Sequence, residues 1–441
     1  MTLSAGALFA AAPASALNIV LTPDSSFTQS PNGAAALLGF QKAANYWNKT
    51  ITSNATLHFD VHFDDLGATV LGSTYSNTVD TSVASVYHQL QTTGNSQLDA
   101  VAVANLRPLT TTVDSHGNVL QGVGYRIPGT DPDTGLMSVD AAGSVLDDNN
   151  SYNNLFLNAN TSVDKGLGLS VDYDYSLFAA YNAIYGTNFD THADADITFS
   201  STFAFDFNPT DGISTGSYDF LGVAIHEMGH ALGFVSGTDL YEGNVEETAG
   251  PGALTQADQD DYSWLSTLDL FRYGSNNPTA DGRDLQLDPN RPAFFSIDEN
   301  TPFNFNGQLG QQSSSFFSTG ATLGDGGQAS HWQDSNAILL ANGCYIDARP
   351  IGIMDPTSSA CSMGVVTSND LAAIDAMGWN IGTDIYNDRG YTFTTEQAFN
   401  LPGLAHVAAI PEPASWAVTL LGFGLVGGAA RANRKRGAAL A

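Results

Sequence analysis

Residues 219–234 read DFLGVAIHEMGHALGF, and no other stretch constrains this chain as strongly. Asp219 suits the N-cap of a helix, where a carboxylate accepts from an otherwise unpaired backbone N–H. Gly233 suits its end, where the chain turns through a left-handed residue. Between them His226 and His230 are four apart, so they share one helical face. Two imidazoles at that spacing can hold one zinc ion, each nitrogen at about 2.0–2.1 Å. Glu227 follows the first of them. That offset keeps its carboxylate beside the ion without making it a ligand, where it can serve as a general base toward water. Leu221, Ala224 and Met228 fall elsewhere on the helix and can pack it into a core.

A catalytic zinc site needs a third protein ligand and leaves the fourth position to water. Six residues after the second histidine stands Ser236, a poor ligand. The downstream candidate is His331, in Gln328-Ala-Ser-His-Trp-Gln-Asp334. Asp239 and Glu246 or Glu247 compete with it, as an aspzincin-like or a gluzincin-like site would have them. After His331 comes Ile353-Met354-Asp355-Pro356, a methionine in a tight Asp-Pro turn. HEMGHALGF, a long insertion, Ser330-His331-Trp332 and then this turn resemble the leishmanolysin arrangement of metzincin proteases. The resemblance covers about residues 217–380, ending with a helix over Asp370–Asp375 and Gly378-Trp379. It implies that His226, His230 and His331 are zinc ligands, that Glu227 is the general base, and that Met354 forms a hydrophobic floor beneath the ion. It also implies an α+β, two-lobed zinc protease domain. A mixed twisted sheet and the active-site helix would form the N-terminal lobe (17–233). An irregular lobe with the Met-turn would follow (234–400). The activity expected is endopeptidase hydrolysis of a protein or peptide substrate. The alternative from another class is a non-catalytic surface or biofilm-matrix protein with a structural zinc site.

Elsewhere the periodicity is readable. Ala34–Lys49 places Leu37, Phe40, Ala44 and Trp47 on one helical face. Thr56–Asp64 alternates strictly, with Leu57, Phe59, Val61 and Phe63 inward and His58, Asp60, His62 and Asp64 outward. The outward row is either a solvated strand face or a metal site. Ser82–Leu90 and Leu177–Tyr185 read as helices. Ile197–Phe207 reads as a strand and is the expected edge for an antiparallel substrate. Residues 113–162 are rich in Asp, Asn and Gly and read as loops. Within them Asp131-Pro-Asp133-Thr-Gly135 does not complete an EF-hand pattern, and calcium there is carried only as a second candidate cofactor.

Both ends read as sorting signals. Residues 1–16 are small and apolar with Ala14-Ser15-Ala16 at their end, as in a cleaved signal peptide. Residues 401–441 hold Pro411-Glu412-Pro413, an uncharged span over 414–430, and Arg431, Arg434, Lys435 and Arg436. A span of this length is the lower limit for crossing a bilayer, and the cations fix its cytoplasmic side. The three parts in this order resemble the PEP-CTERM sorting tail of Gram-negative bacteria. That resemblance implies an exosortase-like partner, a transient inner-membrane anchor, and a periplasmic or cell-surface destination. In an exported chain the two cysteines, Cys344 and Cys361, are expected to form a disulfide. The net charge of −31, from 45 acidic and 14 basic residues, disfavours nucleic acid as a partner.

Overall fold

A computed structural model describes residues 17–408 apart from 114–118, 127–152, 155, 170–192, 248–264, 280–281, 290, 307–311, 336–337, 342–343 and 347–350. The signal segment 1–16, the helix expected over 177–185, the calcium candidate at 131–135 and the span 414–430 lie outside the described residues. The class is α+β, with mixed sheets.

The strictly alternating segment Thr56–Asp64 is the middle of a five-stranded sheet. Its inward residues Leu57, Phe59, Val61 and Phe63 are buried. Asn18–Pro23 and Ala195–Ser200 flank it in parallel. His406–Val407 adds a parallel strand at one edge, and Gly72–Ser76 adds the antiparallel strand at the other. The strand expected over 197–207 therefore needs correction. It ends at Ser200 and is interior, and among the described residues the outer position on that side belongs to Gly72–Ser76. GSTYS holds two strand formers, Thr74 and Tyr75, but no apolar alternation, so no period in its sequence announces an edge strand. The chain after Ser200 makes only a two-residue pairing, Phe205–Asp206 with Tyr218–Asp219, which delivers it to the histidine helix.

The helix Gly33–Thr50 packs across the sheet on the face that also receives the histidine helix Phe220–Ala231. Phe40 sits between Phe199 and Phe220, with ring centroids 4.7 and 5.6 Å away. Trp47 donates its indole N–H to the Ile225 carbonyl at 3.2 Å, an otherwise costly buried donor satisfied on the histidine helix itself.

A second sheet runs in the order Ala293–Phe295, Arg272–Thr279, Gly282–Gln286, Val119–Arg126, Thr110–Val113. Strands thus occupy part of the interval expected to be loops: Val119–Arg126 here, and Phe156–Asn160 paired with Thr78–Ser82. Gly122 and Gly124 interrupt the apolar alternation, which hides the first of them. Val119–Arg126 also pairs with Gly282–Gln286, so the two expected lobes share a sheet. The folded body runs past the expected boundary at 400, because Val20 and Leu21 pair with His406 and Val407, and Ala408 N–H donates to the Leu21 carbonyl at 2.8 Å.

Cys344 and Cys361 are disulfide-bonded, with Cα atoms 5.3 Å apart. The loop they close contains Met354. Closing a loop of this size contributes about 3 kcal/mol in the chain-entropy model.

Candidate metal centre

The histidine helix begins at Asp219, whose Oδ1 accepts from Gly222 N–H at 3.1 Å. The other oxygen accepts from Gly364 N–H at 2.9 Å and from the Thr395 hydroxyl at 2.5 Å, so the cap also fixes the chain that follows the turn at Met354. The helix ends at Leu232, and Gly233 takes φ +109°, a conformation that a side chain would strain. Leu221, Ala224 and Met228 are buried.

His226 and His230 leave one face of this helix, and His331 arrives opposite them. The three Nε2 atoms lie 3.1–3.2 Å from one another. Each Nδ1 faces a backbone carbonyl: His226 that of Ile353 at 2.7 Å, His230 that of Phe234 at 2.7 Å, and His331 that of Gln328 at 3.2 Å. A carbonyl only accepts, so each Nδ1 donates, and a neutral ring then has a lone pair on Nε2. Burial, with the neighbouring imidazole of His226, pushes His230 down to about 3. Burial and the two other rings hold His331 well below the usual histidine range. Three lone pairs converging without a proton between them repel unless a cation lies among them. A tetrahedral ion bonded at about 2.0–2.1 Å holds its nitrogens about 3.3–3.4 Å apart, close to the spacing here. The donor set therefore fits zinc.

Glu227 lines the same cleft, with a side chain almost wholly buried. Burial raises its carboxyl above the usual glutamate range, against the lowering effects of His226 and of Thr74. The Thr74 hydroxyl, on the edge strand, donates to Glu227 Oε2 at 2.7 Å and lies 3.0 Å from the Glu227 carbonyl. Sequence reasoning missed Thr74, and a threonine in a weak strand carries no signal that could have revealed it.

Met354 is buried against the helix from below, and its Sδ occupies the space that a side chain at position 229 would need. Gly229 is thus required by close approach rather than by turn geometry. The same turn supplies the Ile353 carbonyl that orients His226. Asp370 ties the turn to the third histidine. Its Oδ1 accepts from the Trp332 indole at 2.8 Å and Met354 N–H at 3.3 Å, and its Oδ2 from Ile353 N–H at 2.9 Å. Burial raises Asp370 to about 6, despite these donors. Thr367 and Asp370 form a capping box that is legible in sequence, but the bond to Trp332 is not.

Asp239, a competing third ligand in the sequence, holds the third histidine's loop instead. Its carboxylate accepts from Ala329 N–H at 2.6 Å, Ser330 N–H at 2.8 Å and the Ser330 hydroxyl. Ser236 donates its N–H to Ser330 Oγ at 2.9 Å and its hydroxyl to Asp269 Oδ1 at 2.7 Å. Buried Arg272 donates to the carbonyls of Ala329, at 3.2 Å, and Ser318, at 2.9 Å. Glu246 and Glu247 end the helix Gly237–Glu247. Among the described residues, the metal-capable cluster at this helix is His226, His230 and His331.

The centre opens into a cleft of about 1930 Å³, walled by the edge strand, the loop 325–335 and the segment 352–365. Small-molecule pockets occupy about 300–1,000 Å³, so this one has room for a polymer.

Beyond the body, the chain continues into the segment read as a sorting tail. Residues 409–435 match the PEP-CTERM protein-sorting motif. The match marks a bacterial protein exported in a Gram-negative cell, sorted by an exosortase-like enzyme and held transiently at the membrane. It begins directly after Ala408, the last described residue. No curated protein and no solved structure matched the chain. Among the described residues no helix is long and apolar enough to cross a membrane.

Proposed function

We propose that this chain is an exported zinc-dependent endopeptidase of the metzincin type, its third ligand delivered as in leishmanolysin. The observation that carries the proposal is the convergence of three Nε2 atoms, on rings whose Nδ1 atoms each face a backbone carbonyl, beside a buried carboxylate at the floor of an open cleft. His226, His230 and His331 would hold the zinc, and Met354 would pack beneath it. When bound, the ion supplies Lewis acidity, making water more acidic and a carbonyl more electrophilic. Glu227 takes a proton from the attacking water and later delivers it to the leaving amine nitrogen. Thr74 holds Oε2 and so leaves Oε1 for that transfer. Raised by burial, the carboxyl is a stronger base than an exposed glutamate. Among the described residues, Gly72–Ser76 pairs on one side only, so its other edge can carry an extended peptide by strand addition.

A structural zinc site is closed by four protein ligands. Three histidines facing a cleft, with a carboxylate placed for proton transfer, favour catalysis over the non-catalytic alternative. The test is casein cleavage by purified protein, followed through chelation and zinc restoration and paired with metal analysis. One zinc per chain and cleavage abolished by the chelator are expected. Stoichiometric zinc without hydrolysis of any peptide substrate would leave the non-catalytic alternative.

A further inference from the structure

The last described strand before the sorting motif and the cleft lie at opposite edges of one sheet. His406–Val407 is one edge strand, Gly72–Ser76 is the other, and three strands separate them. Four inter-strand spacings of about 4.8 Å put the two edges roughly 19 Å apart. Gly72–Ser76 lines the cleft, and Thr74 on it holds Glu227.

The tail edge is tied down along its length. Lys42 Nζ donates to the Leu401 carbonyl at 3.2 Å, and the Gln41 side chain and Ala405 N–H each make a bond at 3.3 Å to the other's carbonyl. Ala408 then donates to Leu21. The matched motif starts at residue 409, and only two residues lie between Ala408 and Pro411. Five residues separate Ala408 from the uncharged span that begins at 414, and six peptide steps reach at most about 22 Å. A folded body of this length is roughly 50 Å across, so a tether that short does not let it turn over.

We infer that a chain fixed through its tail sits on the 404–408 edge of its sheet, with the cleft turned away from the attachment surface toward macromolecules of the surrounding medium. The inference rests on the cleft being the working site. Its test does not need the activity.

Cys344 and Cys361 are the only two cysteines in the chain and are bonded to each other, so an introduced thiol is unique. Thr69 is exposed on the cleft wall, and Leu404 is 49% exposed beside the tail strand. The full chain carrying Thr69→Cys or Leu404→Cys is bound through its tail to vesicles of phosphatidylethanolamine and phosphatidylglycerol. It is then treated with a maleimide bearing a long polyethylene glycol chain, with detergent-solubilised protein as the reference. Thr69→Cys should react equally in both states, and Leu404→Cys should lose its reaction on vesicles. A blocked Thr69→Cys, or a Leu404→Cys that reacts as freely on vesicles as in detergent, would overturn the inference. A peptidase-inactive protein that gives the expected labelling would overturn the proposed function and leave the orientation intact.

Discussion

Among the described residues, two groups of side chains have metal-ligand chemistry, and they have met opposite fates. At the cleft, His226, His230 and His331 each face a carbonyl with Nδ1 and turn Nε2 toward one another. At the sheet end, Asp24, His62 and Asp64 also lie within reach of a common point. There His62 meets carboxylates with both nitrogens, Asp24 through Nδ1 and Asp196 through Nε2, each at 3.1 Å. Burial opposes a charge on this ring, but Asp196 and then Asp24 outweigh it and raise His62 to about 9. A protonated imidazole has two donors and no lone pair for a metal. Position 62 thus carries neither a bare solvated histidine nor a free lone pair, but a ring that clamps three adjacent strands. What separates a ligand from a clamp is the partner of the ring's other nitrogen.

The largest expected effect lies in the chemistry of the cleft. Glu227→Gln should lower kcat/KM by about 10²- to 10⁴-fold while zinc content stays at one per chain, checked by peptide kinetics and metal analysis. Unchanged turnover would remove Glu227 from its role. Next, His331→Ala should abolish stoichiometric zinc, whereas His62→Ala should leave it unchanged. Equal zinc loss in both would erase the distinction between the two groups. Asp239→Ala frees the loop before His331 without touching a ligand, and should weaken zinc affinity by about tenfold in a chelator competition, as loss of an outer partner does.

The smallest effect is a pH dependence at the clamp. Because His62 is raised above its ordinary 6.5, its contribution to stability is fully present below pH 6.5 and is lost as pH rises through about 9. Urea unfolding should show that decline in the parent protein and a flatter profile in His62→Gln. A parent profile flat across this window would mean that His62 is not charged in the folded state.

Local regularities made much of this legible from sequence. The alternation of Thr56–Asp64 and the helical face of Phe40 and Trp47 gave the centre of the main sheet and the helix that packs on it. The capped i, i+4 spacing placed His226, Glu227 and His230. Gly72–Ser76 escaped notice because an edge strand half open to solvent needs no apolar period. Asp239 looked like a ligand because sequence shows what a carboxylate is near in the chain, not which N–H groups surround it.

Sequence by itself determined the histidine helix, its cap and stop and the sorting tail, since each is written in contiguous residues or in spacing of a few positions, and it determined the paired cysteines because the chain has only two. Only the tertiary structure decided that His331 returns to that helix, that Asp370 and Asp239 hold it there, and that Thr74 meets Glu227. Those contacts join segments tens to hundreds of residues apart. They form only when the burial of a shared core brings the segments together.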